Sequence, residues 1–286
     1  MRWNRGPMSE NVEDVRAQSG GRRVGMRLGL GSMLLLLVLS LVFKRDFFQL
    51  VGGADGMQAG VPAGSALTPE QQAHEDSLAH LMSAVLDSTQ GEWANIFPRL
   101  GGEYRDARLV LFRDAIQSAC GFAESATGPF YCPGDEKVYI DLGFYDELTS
   151  RFGAAGDFAQ AYVLAHEIGH HIQKQLGIEG QVRQAQRERP EIANDLSVRM
   201  ELQADCFAGV WGGRYEAKGG LEQGDLEEGM RAAAAVGDDR IQSRSQGYVN
   251  PESFTHGSSE QRQRWFNQGF RSRDPKQCDT FNAQSL

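Results

Sequence analysis

The residues best placed to do chemistry stand together at His166-Glu167-Ile168-Gly169-His170, within the run AYVLAHEIGHHIQ. On a helix, side chains four positions apart lie one above the other on the same face. Both imidazoles can therefore bind a single Zn²⁺, and Glu167, about 100° round the helix, can reach a water on that metal. The alternative is coincidence, because this five-residue pattern alone has false positives. His171 points about 100° away from His170 and reads as a packed structural histidine.

A catalytic zinc needs a third protein ligand and an open position for water. The metzincin pattern would place Gly and His where this chain has Gln173 and Leu176, so that class is excluded. The third ligand must come from elsewhere. In RMELQADCFAGVW, Glu201 and Asp205 are four apart and share a helix face. Glu201 can bind the metal while Asp205 orients a ligand imidazole through its second nitrogen. An ordinary solvated acidic face is the alternative. Against it, Leu202, Ala204, Cys206, Phe207, Ala208, Val210 and Trp211 make the helix apolar on most sides, where unpaired carboxylates are costly.

These residues need helices to position them. The spacing predicts a helical run from Asp157 through Leu176, ended by Gly177, then others at about 191–218, 221–236 and 258–270. An earlier helix should begin at Thr68-Pro69-Glu70-Gln71, a capping box with Pro at the first helical position, with Leu78, Leu81, Met82, Val85 and Leu86 at helical spacing. Short β-rich runs at 108–112 and 137–144, separated by a Gly/Pro/Cys loop at 119–135, predict a small sheet. Strands in front and helices behind give a mainly helical α+β domain over 68–286. No internal repeat is present.

The chain carries 29 basic and 38 acidic residues, a net charge of -9, which argues against a nucleic-acid-binding surface. The charge is uneven. Residues 1–27 hold six arginines against three acids, whereas 46–286 hold 21 basic and 35 acidic residues. Between them, Leu28 to Phe43 is a run of sixteen uncharged residues bounded by Arg27 and Lys44. As a helix it would span about 24 Å, close to a hydrocarbon core once the flanking cations snorkel. The expectation is one transmembrane signal anchor at 28–45, with a cleaved signal peptide as the alternative. The positive-inside rule then puts residues 1–27 in the cytoplasm and the body across the membrane, tethered by a Gly/Ala-rich linker at 46–67.

Cys120, Cys132, Cys206 and Cys278 are even in number, show no CxxC, and fall on the expected exported side, where disulfides persist. Three pairings are possible. One of them joins Cys120 to Cys132 across the loop before 137–144, and Cys206 to Cys278 between the Glu201 helix and the C-terminal tail. Free buried thiols are the alternative.

Five separated segments, RRVGMRLG, TGPFYCPGDEKVYIDLGFY, HEIGHHIQ, ELQADCFAGVW and THGSSEQRQRWFNQGF, resemble the YpfJ-like neutral zinc metallopeptidases of bacteria over essentially the whole chain. That resemblance implies a short basic N-terminus, one membrane segment and a zincin-like peptidase domain. The layout of His166, Glu167, His170, Glu201 and Asp205 is also similar to gluzincin membrane peptidases of the CAAX-protease type, which carry a later His with an Arg six residues on. His256 and Arg262 have that separation here. By this resemblance His256 hydrogen-bonds a developing oxyanion and Arg262 pairs with Asp205 or substrate, although Gly257-Ser258 stand where those enzymes have two prolines. Gluzincins also pair extended substrate with an edge strand, for which KVYIDLGF is the candidate; a purely structural hairpin is the alternative.

The function expected is therefore a single-pass endopeptidase of the bacterial inner membrane, acting on protein or peptide on the periplasmic side with one Zn²⁺ and Glu167 as general base. A catalytically silent scaffold that binds envelope proteins and an amidase acting on cell-wall peptide are the competing functions.

Overall fold

The structure is a computed structural model that describes residues 1–17, 67–151 and 153–286. The segment expected to cross a membrane at 28–45, and nearly all of the linker expected at 46–67, lie outside these residues. No described helix is long and apolar enough to cross a membrane. Residues 1–17 and the described residues from 69 to 286 belong to one compact unit.

The first helix, α1 (Pro69–Ile96), begins at the expected proline and buries a stripe of Leu78, Leu81, Met82, Val85, Leu86 and Trp93. That stripe follows the 3.6-residue period of a helix with one face on a core. A four-stranded sheet has the order β1 (Val12–Asp14), β2 (Arg108–Phe112), β6 (Lys137–Asp141), β5 (Phe130–Cys132). β1, β2 and β6 run parallel, and β5 is antiparallel to β6. A separate hairpin pairs β3 (Ala115–Ser118) with β4 (Gly121–Glu124). Side chains alternate across β2: Leu109 and Leu111 enter the main core, whereas Val110 and Phe112 join a smaller cluster with Cys132 and Tyr139 on the other face.

Two expectations about the strands need correction. The run at 137–144 ends as a strand at Asp141, because the Asp141 carboxylate accepts from the Gly143 amide at 2.9 Å and the chain turns into α2 (Gly143–Ser150). That strand is also interior, with β2 on one side and β5 on the other. Both its edges are used, so KVYIDLGF has none to offer a substrate. The edge strand on that side is β5, which lies in the stretch read as loop.

The basic segment expected as a cytoplasmic arm is, over its described residues 1–17, built into the body. β1 pairs with β2 in the register Val12↔Leu109, Glu13↔Val110 and Asp14↔Leu111. Nothing in its composition marks so short an edge strand; its partners supply the order.

The remaining helices are α3 (Asp157–Gln175), α4 (Ile178–Glu188), α5 (Ala193–Ala217), α6 (Asp225–Ala235), α7 (Asp238–Gln246) and α8 (Ser259–Ser272). The start of α8 carries a capping box, with the Ser258 hydroxyl accepting from the Gln261 amide and the Gln261 side chain returning to the Ser258 amide. α3 and α5 are buried nearly all round, as central helices must be. α5 and α8 cross with almost no side chain between them. A Cβ on Gly269 would lie 1.9 Å from the Cys206 carbonyl oxygen, and one on Gly209 would lie 2.0 Å from that of Phe266. The cysteines pair Cys120–Cys132 and Cys206–Cys278, leaving none free.

The crossing sets a stability test. Gly269→Ala forces α5 and α8 apart and should cost at least about 1–3 kcal/mol, the usual range for an overpacked core. Urea denaturation would read this as a lower midpoint at unchanged slope, and an unaltered midpoint would show the helices can separate freely.

Candidate metal centre

α3 carries Tyr162, His166, His170 and Gln173 along one face, and α5 presents Glu201 and Asp205 to it. The helices meet at Gly169, where an added Cβ would lie 2.9 Å from the Ala204 Cα. The glycine in HEIGH therefore sets how near the two ligand-bearing backbones come.

Three ligand atoms converge there. His166 Nε2 lies 3.2 Å from one Glu201 oxygen, and His170 Nε2 lies 3.5 Å from the other. All three groups offer atoms within 4.8 Å of one another. Donors at ~2.0–2.1 Å from one tetrahedral zinc sit about 3.3 Å apart, so these spacings fit a single ion. The donor chemistry fits as well: two imidazole nitrogens and a carboxylate make a set known for catalytic zinc.

Each imidazole is held by its other nitrogen. His166 Nδ1 is 2.8 Å from Asp205 Oδ1, and His170 Nδ1 is 2.9 Å from the Gln173 side-chain oxygen. An Nδ1–H donating to oxygen would leave each Nε2, on the Glu201 side, free to bind an ion. Gln173 was not foreseen in the sequence as part of the site, although its position three residues after His170 on the same face could have flagged it. It is fully buried, and its amide nitrogen donates to the Met200 carbonyl at 2.8 Å and to Gln203 at 3.1 Å. Gln203 donates in turn to the Cys278 carbonyl at 3.0 Å.

Asp205 is fully buried and more heavily engaged. It accepts from His166, from Arg262 Nε at 2.8 Å and Nη2 at 2.9 Å, and from the Tyr162 hydroxyl. Burial alone would raise the Asp205 carboxyl, but Arg262 and His166 beside it outweigh that and hold it below the usual carboxylate range. Arg262, from α8, is 3% exposed, so this buried pair depends on its full set of bonds, which include the Val236 carbonyl. In the metal-free protein, burial works against a charge on His166, yet Asp205 and Glu201 push its imidazole up to about 10. Glu201 moves in the opposite sense: burial would raise it, but His170 and His166 hold it well below its ordinary value.

The site opens into a cavity of about 470 Å³, lined by Glu167 and His256 as well as His166, His170, Glu201 and Arg262. Phe130 and Tyr131 of β5 form part of its wall, with Phe144, Val163, Val236 and Ile241 supplying apolar surface. His256 sits on the loop before α8, its side chain half exposed. Its Nδ1 is 3.0 Å from Asp238 Oδ1, while Asp238 Oδ2 accepts from the amides of Thr255, His256 and Gly257 at 2.7, 2.6 and 3.1 Å. The bond to Asp238 raises the His256 imidazole above its ordinary value. Asp238 is a second residue that sequence reading missed, and no spacing could have found it, since a loop brings it to a histidine eighteen positions on. The structure thus brings all seven predicted metal-site and cavity residues together: His166, Glu167, His170, Glu201, Asp205, His256 and Arg262. His171 lies apart from the cavity, fully buried, 3.0 Å from the Tyr131 hydroxyl and 2.7 Å from the Arg105 carbonyl. Burial holds that imidazole below its ordinary value.

The bond from Gln173 to His170 can be tested directly. Gln173→Ala should weaken zinc affinity about 10–100-fold, the usual effect of losing an outer partner of a ligand imidazole. Competition against a chelator measures it, with circular dichroism as the check on folding; unchanged affinity would mean His170 holds its orientation unaided.

A family model described as "Putative neutral zinc metallopeptidase" matches residues 1–281. The uncharacterized protein YpfJ of Escherichia coli K12 is 48% identical over 293 residues, covering 98% of this chain and 99% of that protein. The uncharacterized protein Rv2575 of Mycobacterium tuberculosis is 42% identical over 214 residues, 71% of this chain and 70% of its own. No solved structure matches. With a match that spans almost the whole chain, and with paired imidazoles and a carboxylate spaced for one ion, the chain belongs to the neutral zinc metallopeptidase family.

Proposed function

We propose that this protein is a zinc-dependent endopeptidase that holds one ion with His166, His170 and Glu201 and hydrolyses peptide bonds with Glu167 as general base. The reading rests above all on the 3.2 and 3.5 Å spacings of the ligand atoms beside a cavity that Glu167 also lines. An ion held by these three residues would supply Lewis acidity to the attacking water and to the scissile carbonyl. Glu167 takes the proton from that water and passes it to the leaving amine. His256, its Nδ1 tied to Asp238, directs Nε2 to the oxygen on which negative charge develops. Arg262 acts through Asp205, keeping it ionised and bonded to His166.

An extended substrate is received on β5. Among the described residues this strand is at the end of the sheet order, and Phe130 and Tyr131 form part of the cavity wall. Backbone pairing there gives affinity for peptide irrespective of sequence, with the apolar wall selecting side chains. Two disulfides and no free cysteine favour an oxidising, extracytoplasmic compartment.

Peptide cleavage by the full chain, measured beside its metal content, tests this reading. Glu167→Gln should keep stoichiometric zinc and lose about 10²–10⁴ in kcat. Glu201→Ala should lose the metal itself. His256→Ala should retain zinc and lose about 10²–10³ in kcat. Equal cleavage by wild type and Glu167→Gln would trace the activity to a contaminating protease and leave a zinc-binding scaffold in place of the enzyme.

A further inference from the structure

The arm at 1–17 is bonded to the body at Met1 and Arg2 and again from Ser9 to Arg16. The Met1 amine, 1% exposed, is 2.7 Å from Asp157 and 3.2 Å from Asp225, the first residues of α3 and α6. The Arg2 amide donates to the Gly220 carbonyl at 2.8 Å, and the Tyr215 hydroxyl to the Arg2 carbonyl at 2.6 Å. The Ser9 amide reaches Ser83 of α1 at 2.7 Å. Glu13 bridges Arg108 of β2 at 2.9 Å and Lys137 of β6 at 2.8 Å, and Arg16 lies 3.0 Å from Asp76 of α1.

The backbone bonds are the hardest to give up. The Leu109 amide donates to the Asn11 carbonyl at 2.8 Å, and the Val15 amide donates to the Leu111 carbonyl at 2.9 Å. Leu109 and Leu111 are fully buried. Withdrawing β1 would strand these polar groups beside the core, where an unmade hydrogen bond carries its full desolvation penalty.

Neighbouring strands lie about 4.8 Å apart, whereas the two ends of a membrane-crossing segment are separated by a hydrocarbon core of ~30 Å. One pass between residues 17 and 67 cannot satisfy both. We infer that residues 1–17 are a retained, structural part of the body and occupy the same compartment as residues 67–286. This does not depend on the catalytic reading. It stands against both the cytoplasmic arm and the cleaved signal peptide, since cleavage after the run would remove β1 from its place beside β2.

The full-length chain in spheroplasts provides the test. Single cysteines are placed by Gly6→Cys, where a Cβ meets nothing within 4 Å, and by Gln246→Cys at an exposed position on α7. The native cysteines are paired, and the unsubstituted chain serves as background. A membrane-impermeant maleimide should label both new thiols, or neither until lysis. Labelling of one and protection of the other would overturn the inference. So would a mature protein whose mass places its first residue after position 45; recovery of the peptide ending at Arg16 at full stoichiometry is the result expected.

Discussion

The metal centre depends on how closely two backbones approach. Gly169 rests against Ala204, and no side chain fits between α3 and α5 at that level. Two imidazoles one turn apart on α3 define a line, and the carboxylate of Glu201 can close a triangle with them only if α5 runs this near. The small residues elsewhere in the bundle serve the same end. Gly209 and Gly269 bring α8 onto α5, which in turn delivers Arg262 to the far side of Asp205.

Behind the ligands lies a polar interior that is stable only when complete. Asp205, Arg262, Tyr162 and His166 exchange bonds in a buried space behind the cavity wall, and each balances a charge or donor that would otherwise be buried alone. On the other side of the centre, the series runs from His170 through the side-chain amides of Gln173 and Gln203 to the Cys278 carbonyl. The two ligand imidazoles are thus fixed by different means, one by a carboxylate neutralised by a guanidinium, the other by amides that end on a disulfide-linked tail. The first ties His166 to a buried charge pair, and the second makes the position of His170 depend on how the C-terminal residues pack.

Much of this was legible in the sequence because it follows from local periodicity. Four-residue spacing placed His166 with His170 and Glu201 with Asp205, and the apolar character of the Glu201 helix argued that its acids were engaged. The long helices and β2 emerged for the same reason. What escaped was set by tertiary context. β1 and β5 are three residues each and acquire strand geometry from their neighbours. α7 has a polar, weakly periodic sequence, and its first residue, Asp238, acquires its role only by meeting the His256 loop. The strand at 137–144 was read as an edge because alternation reports which faces are covered and is silent about which edges are.

The two ends of the sheet differ in when they can form. β5 and β6 are joined by a short turn and can pair as soon as both are synthesised. β1 leaves the ribosome first, but its partner β2 begins at Arg108, after the whole of α1 has emerged. Closing so long a loop carries an entropic cost that short-range pairing avoids, so this edge is completed late. Until then the nascent chain holds an unpartnered strand followed by its most apolar stretch, and the N-terminal ends of α3 and α6 await their cation. The sheet is thus completed last at the strand that precedes all its others in the chain.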